Sequence, residues 1–197
     1  WAGGTGVTMA AKVLVACEES QTVCAAFRAR GFEAYSCDIQ RPSGGHPEWH
    51  IWGDVMQVVT ATNVGTMDGC SHSIGQWDLL IGHPPCTYLS NAGVCNLIRH
   101  GAIDRERLSN GFAAKKFFEG LLYSNIPHVA IENPVPTKIW GLPPYSQIIE
   151  PYFFGHPYRK RTCLWLRNLP PLTPSDLVQP LGCWVQTSGH NKKKIQH

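Results

Sequence analysis

The stretch Trp77-Asp78-Leu79-Leu80-Ile81-Gly82-His83-Pro84-Pro85-Cys86 decides the fold. Its first six residues form a short, largely apolar run that reads as a buried strand, and the two prolines after it end the run. Proline fixes φ and biases the residue before it toward extended geometry, so Pro84-Pro85 makes a stiff spout. The spout delivers one thiol, Cys86, just past the carboxyl end of the strand. Binding sites in open α/β sheets lie beyond that end. At this level two readings of Cys86 stand side by side: a thiol placed for chemistry, or a small hydrophobe buried behind a turn.

Outward from this strand the chain alternates strand-like and helical patterns. Upstream, residues 12–16 are a β-branched run, residues 22–30 have helical periodicity stopped by Gly31, and residues 33–37 form the next strand, ending at Asp38. A Pro/Gly-rich loop covers residues 41–47, and a weak strand over 49–52 leads into Gly53-Asp54. Downstream, residues 104–123 read as the longest helix, with Phe112, Phe117, Leu121 and Leu122 on its apolar face. Strands follow over 128–132, 147–154 and 161–166. Strands separated by helices predict βαβ units and a parallel sheet. Only Gly155-His156-Pro157-Tyr158 joins the last two strands, which is too short for a crossover, so that pair is expected to be antiparallel. The expected fold class is α/β, a mostly parallel sheet with an antiparallel last strand. The expected organisation is a flexible leader over 1–10, a catalytic domain over 11–169, and a short Pro-rich, basic segment over 170–197.

Composition narrows the function classes. Hydrophobic residues make up 43% and charged residues 16%, which argues for a folded chain with a substantial core. The net charge of +3 has much of its excess in Lys192-Lys193-Lys194, which permits contact with an acidic polymer without requiring it. Eight cysteines occur with no CxxC or metal-finger spacing, so reduced thiols in a cytoplasmic protein are expected. Cys70-Ser71-His72 lacks the partners a zinc site needs, and no metal is expected. No apolar run is long enough to span a bilayer, and no signal peptide is recognisable, so no membrane partner is expected.

On this reading Asp38, Asp54, Cys86 and Glu132 each stand at or just after the carboxyl end of a different strand, which would gather them at one edge. Glu132 leaves an apolar strand, Val129-Ala130-Ile131-Glu132-Asn133-Pro134, where partial desolvation favours the protonated acid and suits a proton donor. A helix cap or a loop hydrogen bond is its plainer role. Asn133 is expected to brace the loop backbone. Arg159 and Arg161 alternate onto one face of an emerging strand, as a fork for a phosphate or a base carbonyl, or as charges that blunt a sheet edge.

These residues carry a family likeness. The chain resembles the cytosine-C5 DNA methyltransferases, in particular short phage-type members, in four blocks that keep the family's order. Trp52-Gly53-Asp54-Val55-Met56-Gln57-Val58 resembles the adenine-binding segment. Asp78 to Ser90 resembles the strand and Pro-Cys nucleophile loop. Ile131-Glu132-Asn133-Pro134 matches the Glu-Asn-Val block with proline in third place. Gly155-His156-Pro157-Tyr158-Arg159-Lys160-Arg161 resembles the Gln-x-Arg-x-Arg block with Pro157 where glutamine is usual. The likeness covers residues 12–167.

The resemblance implies a Rossmann-like class I fold that binds S-adenosyl-L-methionine and acts on double-stranded DNA with a flipped cytosine. It implies that Cys86 attacks C6 of cytosine, Glu132 holds or protonates N3, Arg161 contacts the base carbonyl and Arg159 braces the catalytic loop. Asp38 would hold the ribose hydroxyls, Ile39 would pack on adenine, and Asp54 would accept from its amino group, with Val55, His83 and Pro84 beside the cofactor. Pro85, Ser90 and Asn133 would line the substrate side. The segment from Asn91 to Arg107 corresponds to a loop that closes on the extruded nucleotide, with Arg99, Arg105 and Arg107 as phosphate contacts.

Three departures mark this chain. The Gly-rich turn after the first strand is replaced by Cys17-Glu18-Glu19-Ser20, so the methionine end of the cofactor is held differently. Glu18 or Glu19 would reach its amino group, or favour a modified sulfonium. Little chain follows the two arginines, which reduces the recognition region, and the family's closing C-terminal block is not visible. Two alternatives therefore accompany the DNA methyltransferase reading: a C5 transferase using a free cytosine nucleotide or a modified S-adenosylmethionine (carboxymethyl transfer, for example), and an inactive DNA- or cofactor-binding relative.

Overall fold

The structure is a computed structural model that describes residues 10–99, 101–185 and 194–196; for Ala92, Arg99, 183–185 and 194–196 it describes the backbone alone. Residues 1–9 of the expected leader over 1–10, and the lysines at 192 and 193, lie outside the described residues. In chain order the strands are β1 (Lys12–Ala16), β2 (Glu33–Asp38), β3 (His50–Trp52), β4 (Asn63–Gly65), β5 (Ser71–Ser73), β6 (Leu79–Gly82), β7 (Ile98–Arg99), β8 (Ala102–Ile103), β9 (His128–Pro134), β10 (Gln147–Ile149), β11 (Thr162–Arg167), β12 (Cys183–Val185) and β13 (Lys194–Gln196). The α-helices are α1 (Thr22–Arg28), α2 (Val55–Val58), α3 (Asn91–Val94) and α4 (Arg105–Leu122).

The chain is α/β, with a seven-stranded mixed sheet in the order β10-β11-β9-β6-β1-β2-β3. Contacts sort it into two compact units, Trp1–His83 with Gly120–Val129, and Pro84–Glu119 with Ala130–His197.

In the first unit β1 pairs in parallel with both β2 and β6, and β2 pairs in parallel with β3. Val13, Leu14, Val15 and Ala16 are all fully buried, which is why β1 reads as a continuous apolar run and not as an alternating one. Trp77, read from sequence as the start of a strand, precedes β6; its ring is buried and its indole N–H donates to the Val58 carbonyl at 2.9 Å. A hairpin of β4 and β5 occupies the stretch between α2 and β6.

In the second unit β10 pairs antiparallel with β11, as the short connection requires. The strand expected over 147–154 stops at Ile149, because Pro151 has no N–H for a ladder and opens a 3-10 turn, Pro151–Phe153. The apolar face of α4 also differs from the expectation. Leu121 and Leu122 are buried as expected, but Phe118 is fully buried where Phe117 is only half-buried, and Phe112 is 59% exposed and meets Trp140 edge-on. The Pro-rich segment after residue 170 lies along its own unit: Gln147 and Leu172 exchange two hydrogen bonds, and Val178 N–H donates to the Tyr152 carbonyl.

Candidate functional site

The first unit contributes one edge of strand ends. Register pairs Ala16 with both Cys37 and Gly82, and Asp38 with Trp52, so β1, β2, β3 and β6 finish nearly level. Cys17 to Ser20, Asp38-Ile39, Asp54 and His83 therefore share that edge. Electrostatics reports the same proximity: burial pushes the Cys17 thiol up to about 12, and Asp38 and Asp54 add to the shift. A cavity of about 270 Å³ opens there, lined by Cys17, Glu18, Glu19, Ser20, Thr22, Val23 and His83.

The turn after β1 keeps a glycine-like path without glycine. Cys17 and Gln21 both adopt left-handed backbone, at φ 60° and 59°. Left-handed geometry costs an L-residue about 1–2 kcal/mol, so the surroundings must offset it. Gln21, almost fully buried, does so at its own position. Its amide donates to the His46 carbonyl at 2.8 Å, its oxygen accepts from His46 N–H at 3.0 Å, and its amide also reaches Ser36 Oγ at 3.3 Å. Gly44 completes the lock, since a Cβ there would stand 2.6 Å from the Ser20 carbonyl oxygen.

Ser36 continues the chain of bonds to His50, which is fully buried. The Gln40 carbonyl can only accept, so the ring donates from Nε2 at 3.0 Å, and Nδ1 accepts from the Ser36 hydroxyl at 2.8 Å. Burial lowers the His50 pKa, with the Gln40 hydrogen bond opposing, so the neutral ring is the form that fits. The row Gln21–Ser36–His50–Gln40 thus ties the turns after β1 and β2 together. Asp38 and Ile39 sit on the tied segment: Asp38 Oδ1 accepts from Gln40 N–H at 2.8 Å, and Ile39 is 75% exposed. Trp52 presents an exposed indole that donates to the Ile39 carbonyl and lies under the Arg41 guanidinium. Asp54 caps α2 by accepting from Met56 N–H, and Val55 behind it is buried.

The second unit contributes the thiol. Asn133, 1% exposed, donates from Nδ2 to the Pro84 carbonyl at 2.9 Å, which fastens the end of β9 to the Pro84-Pro85-Cys86 turn. Alternation along β9 buries Val129, Ile131 and Asn133, so Glu132 leaves by the opposite face, half-buried. Burial pushes the neighbouring Cys163 thiol up, Arg161 opposes the shift and Glu132 adds to it, so both charges act on one buried position. Arg159 and Arg161 are exposed just before β11. The buried Glu150 carboxylate accepts from Lys160 N–H at 2.8 Å and stands 3.9 Å from Arg161 Nε, holding the arginine-bearing stretch from inside.

Beyond the spout the chain folds into a tight knot. The Cys86 carbonyl accepts from Leu89 and Ser90 N–H, the Tyr88 carbonyl accepts from the Trp140 indole at 2.7 Å, and the Leu89 carbonyl accepts from Thr137 N–H. Ser90 caps α3 by accepting from Gly93 N–H. Arg107, expected at a phosphate, donates to the carbonyls of Thr87 and Gly93 and stacks over Tyr88. Arg105 is exposed, Pro85 is exposed, and the Arg99 side chain lies outside the described residues. The hairpin of β7 and β8 follows the knot inside the expected closing loop.

Gly93 is the tightest point of this knot. A Cβ there would meet the Thr87 carbonyl oxygen at 2.1 Å, and that atom is backbone. Gly93→Ala is therefore expected to destabilise the protein by about 2 kcal/mol, through overpacking that displaces Thr87 beside Cys86. A thermal melt together with the alkylation rate of Cys86 checks this; an unchanged melt and rate would show that the turn yields freely.

Thiol reactivity gives a second check. Burial pushes Cys37 to about 12 and Cys24 to about 11, alongside Cys17, whereas Cys86 is partly exposed and Cys95 exposed. Only the thiolate alkylates readily. At pH 7.5 iodoacetamide is expected to modify Cys86 and Cys95 well before Cys17, Cys24 and Cys37, read by peptide mass mapping. Equal labelling of Cys17 would mean that the left-handed turn opens in solution.

Gln21, Ser36, His50, Glu150 and Trp140 were not singled out from sequence. Their partners lie 10 to 52 positions away, and the only local signal was a glutamine just ahead of a helix. Among the described residues no group of three or more His, Cys, Asp or Glu is placed to hold a metal ion, and no helix is long and apolar enough to cross a membrane. No protein-family model matches the chain, and no curated protein matches it.

Proposed function

We propose that this chain is a transferase that methylates cytosine at C5 in double-stranded DNA, using S-adenosyl-L-methionine. The observation that carries the reading is the Asn133–Pro84 hydrogen bond, which holds a strand-end carboxyl block against the turn that ends in Cys86. The strand order supports it. Numbered within the main sheet, the strands run 3-2-1-4-5 and then 7-6, a Rossmann-type core with the final strand inserted before its predecessor.

The donors at the edge of the first unit fit the cofactor. Asp38 suits a ribose diol, exposed Ile39 an adenine face, Asp54 an exocyclic amine, and the Glu18-Glu19 turn a charged amino-acid end. When bound, the cofactor supplies an electrophilic methyl group. The chain's residues then prepare the base. The target cytosine leaves the stack, at about a few kcal/mol. Cys86 adds as thiolate to C6 while Glu132 delivers a proton to N3, so the ring's electron pair localises at C5. Arg161 holds the base carbonyl, and Glu150 holds Arg161. After methyl transfer, solvent takes the C5 proton, Cys86 leaves as thiolate with the C6–S electron pair, and N3 returns its proton to the Glu132 carboxylate, which restores the neutral aromatic ring.

The direct test is a nucleoside mass spectrum of DNA incubated with the protein and S-adenosylmethionine. The expected product is 5-methyl-2′-deoxycytidine. Unmodified DNA alongside modified dCMP would move the reading to a free-nucleotide transferase, and no modified base in either would remove it.

A further inference from the structure

We propose that the ribbon of β7 and β8 is a wedge, whose Ile98 and Ile103 enter the base stack of duplex DNA and fill the gap left by an extruded cytosine. The inference rests on the DNA cytosine reading and goes beyond it, because it assigns these residues to the stack and not to the extruded nucleotide. Ile98 and Ile103 stand directly opposite each other in the two-stranded pairing, so their side chains share one face. They are 63% and 58% exposed. Single exposed apolar residues are common, but an opposed pair makes one continuous apolar ridge. The turn beyond it is narrow, with left-handed Gly101 at φ 78° and only a methyl group at Ala102.

A ribbon with two residues on each strand has too little pairing to hold itself, so its base must be fixed from outside. A run of backbone hydrogen bonds does this and leads back to the Cys86 turn. Ser90 N–H donates to the Cys86 carbonyl, Val94 N–H to Ser90, Leu97 N–H to Val94, and Asp104 N–H to Leu97, which closes the ribbon. Leu97 is buried, and Asp104 Oδ1 accepts from Arg107 N–H at 2.9 Å, while the Arg107 guanidinium holds the Thr87 and Gly93 carbonyls. The ridge therefore keeps a set position relative to Cys86. Two isoleucines fall far short of the area, about 800 Å² a side, that a stable pair of proteins buries. They match the apolar side chains that DNA-kinking proteins insert between base steps. The flanking chain carries Arg99, Arg105 and Arg107 against Asp104 and Glu106, an excess of positive charge that suits a polyanion. Extrusion breaks the stacking of the target on both its neighbours, and an apolar ridge in the gap restores part of it.

The test is covalent trapping of the full chain, with S-adenosylmethionine, on a mixed-sequence strand that carries 5-fluorocytosine. The strand is offered once alone and once as a duplex, and the readout is the ratio of the two adduct rates, which an unfolded fraction of protein leaves unchanged. A lone strand has no duplex stack to open, so the wedge acts on the duplex only. Ile98→Thr with Ile103→Thr keeps the β-branched shape and removes the apolar tip. This double variant is expected to lower the duplex-to-single-strand ratio by about tenfold. Ile98→Val with Ile103→Val keeps an apolar ridge and is expected to hold the ratio within about threefold of wild type. An unchanged ratio in the threonine variant overturns the wedge and leaves the cytosine reading intact, as does an equal fall in both variants. A wild-type dimer that the threonine variant breaks, with the ratio unchanged, overturns it in favour of a second copy on the ridge. No adduct from the wild-type chain on either form overturns the cytosine reading, and the wedge with it.

Discussion

DNA containing 5-fluorocytosine is expected to trap the wild-type chain as a covalent adduct, and Cys86→Ser is expected to yield none. Fluorine at C5 blocks the last proton loss, so a thiol that has added to C6 cannot leave. Serine keeps the shape, but its hydroxyl ionises far less readily than a thiol, and nothing around a stiff proline spout turns it into a comparable nucleophile. Loss of the nucleophile should lower turnover by about 10⁴-fold or more, since residues that form the covalent bond act as a unit with their neighbours. Denaturing gel analysis of the adduct decides the matter. An adduct that survives Cys86→Ser would assign the nucleophile elsewhere and dissolve the proposed mechanism. Partial exposure of Cys86 makes the test clean, because a serine there creates no buried orphan.

Gln21→Ala is expected to destabilise the first unit by about 2 kcal/mol. The glutamine side chain answers both the N–H and the carbonyl of His46 and also touches Ser36, all from a nearly fully buried position. Alanine would remove the acceptor of His46 N–H, leave the His46 carbonyl with Trp49 N–H alone, and still have to adopt left-handed backbone at that position. The urea midpoint should fall with an unchanged slope, as for a loss of native-state interactions. Because His50 passes the same tie on to Gln40, beside Asp38, affinity for S-adenosylmethionine should drop as well in protein that remains folded. A loss below about 0.5 kcal/mol would show that the loop over 41–47 contributes little, and the row of bonds would lose its assigned role.

The same residues show how far the sequence could be read. β1, β2, β9 and the antiparallel closure by β11 followed from apolar runs and from one short connection, because those signals are local. Strand-end positions for Asp38 and Asp54 followed for the same reason, whereas β9 runs on to Pro134, which leaves Glu132 two residues inside its end. The end of β10 was misjudged, since a proline inside an apolar run removes a ladder hydrogen bond without changing the hydrophobic pattern. On α4 the expected Leu121 and Leu122 are buried, but Phe118 is buried in place of Phe112 and Phe117, because Phe117 and Phe118 point about 100° apart and packing on Trp165 selects Phe118. Arg107 illustrates the limit best. Its charge and position suggested a phosphate contact, yet its guanidinium spends donors on two backbone carbonyls beside Cys86.

Sequence alone determined the α/β class, the succession of the main strands along the chain and the placing of one thiol after a strand and two prolines. Each of these depends on residues adjacent in the chain. Tertiary structure decided what holds the thiol turn and the left-handed turn in place, through Asn133, Trp140, Arg107, Gln21 and His50. It also decided that the first amides of α1 are already occupied by Glu18. The physical reason is that a buried polar group must find its partner wherever the fold brings one, and that partner leaves no periodic trace in the sequence.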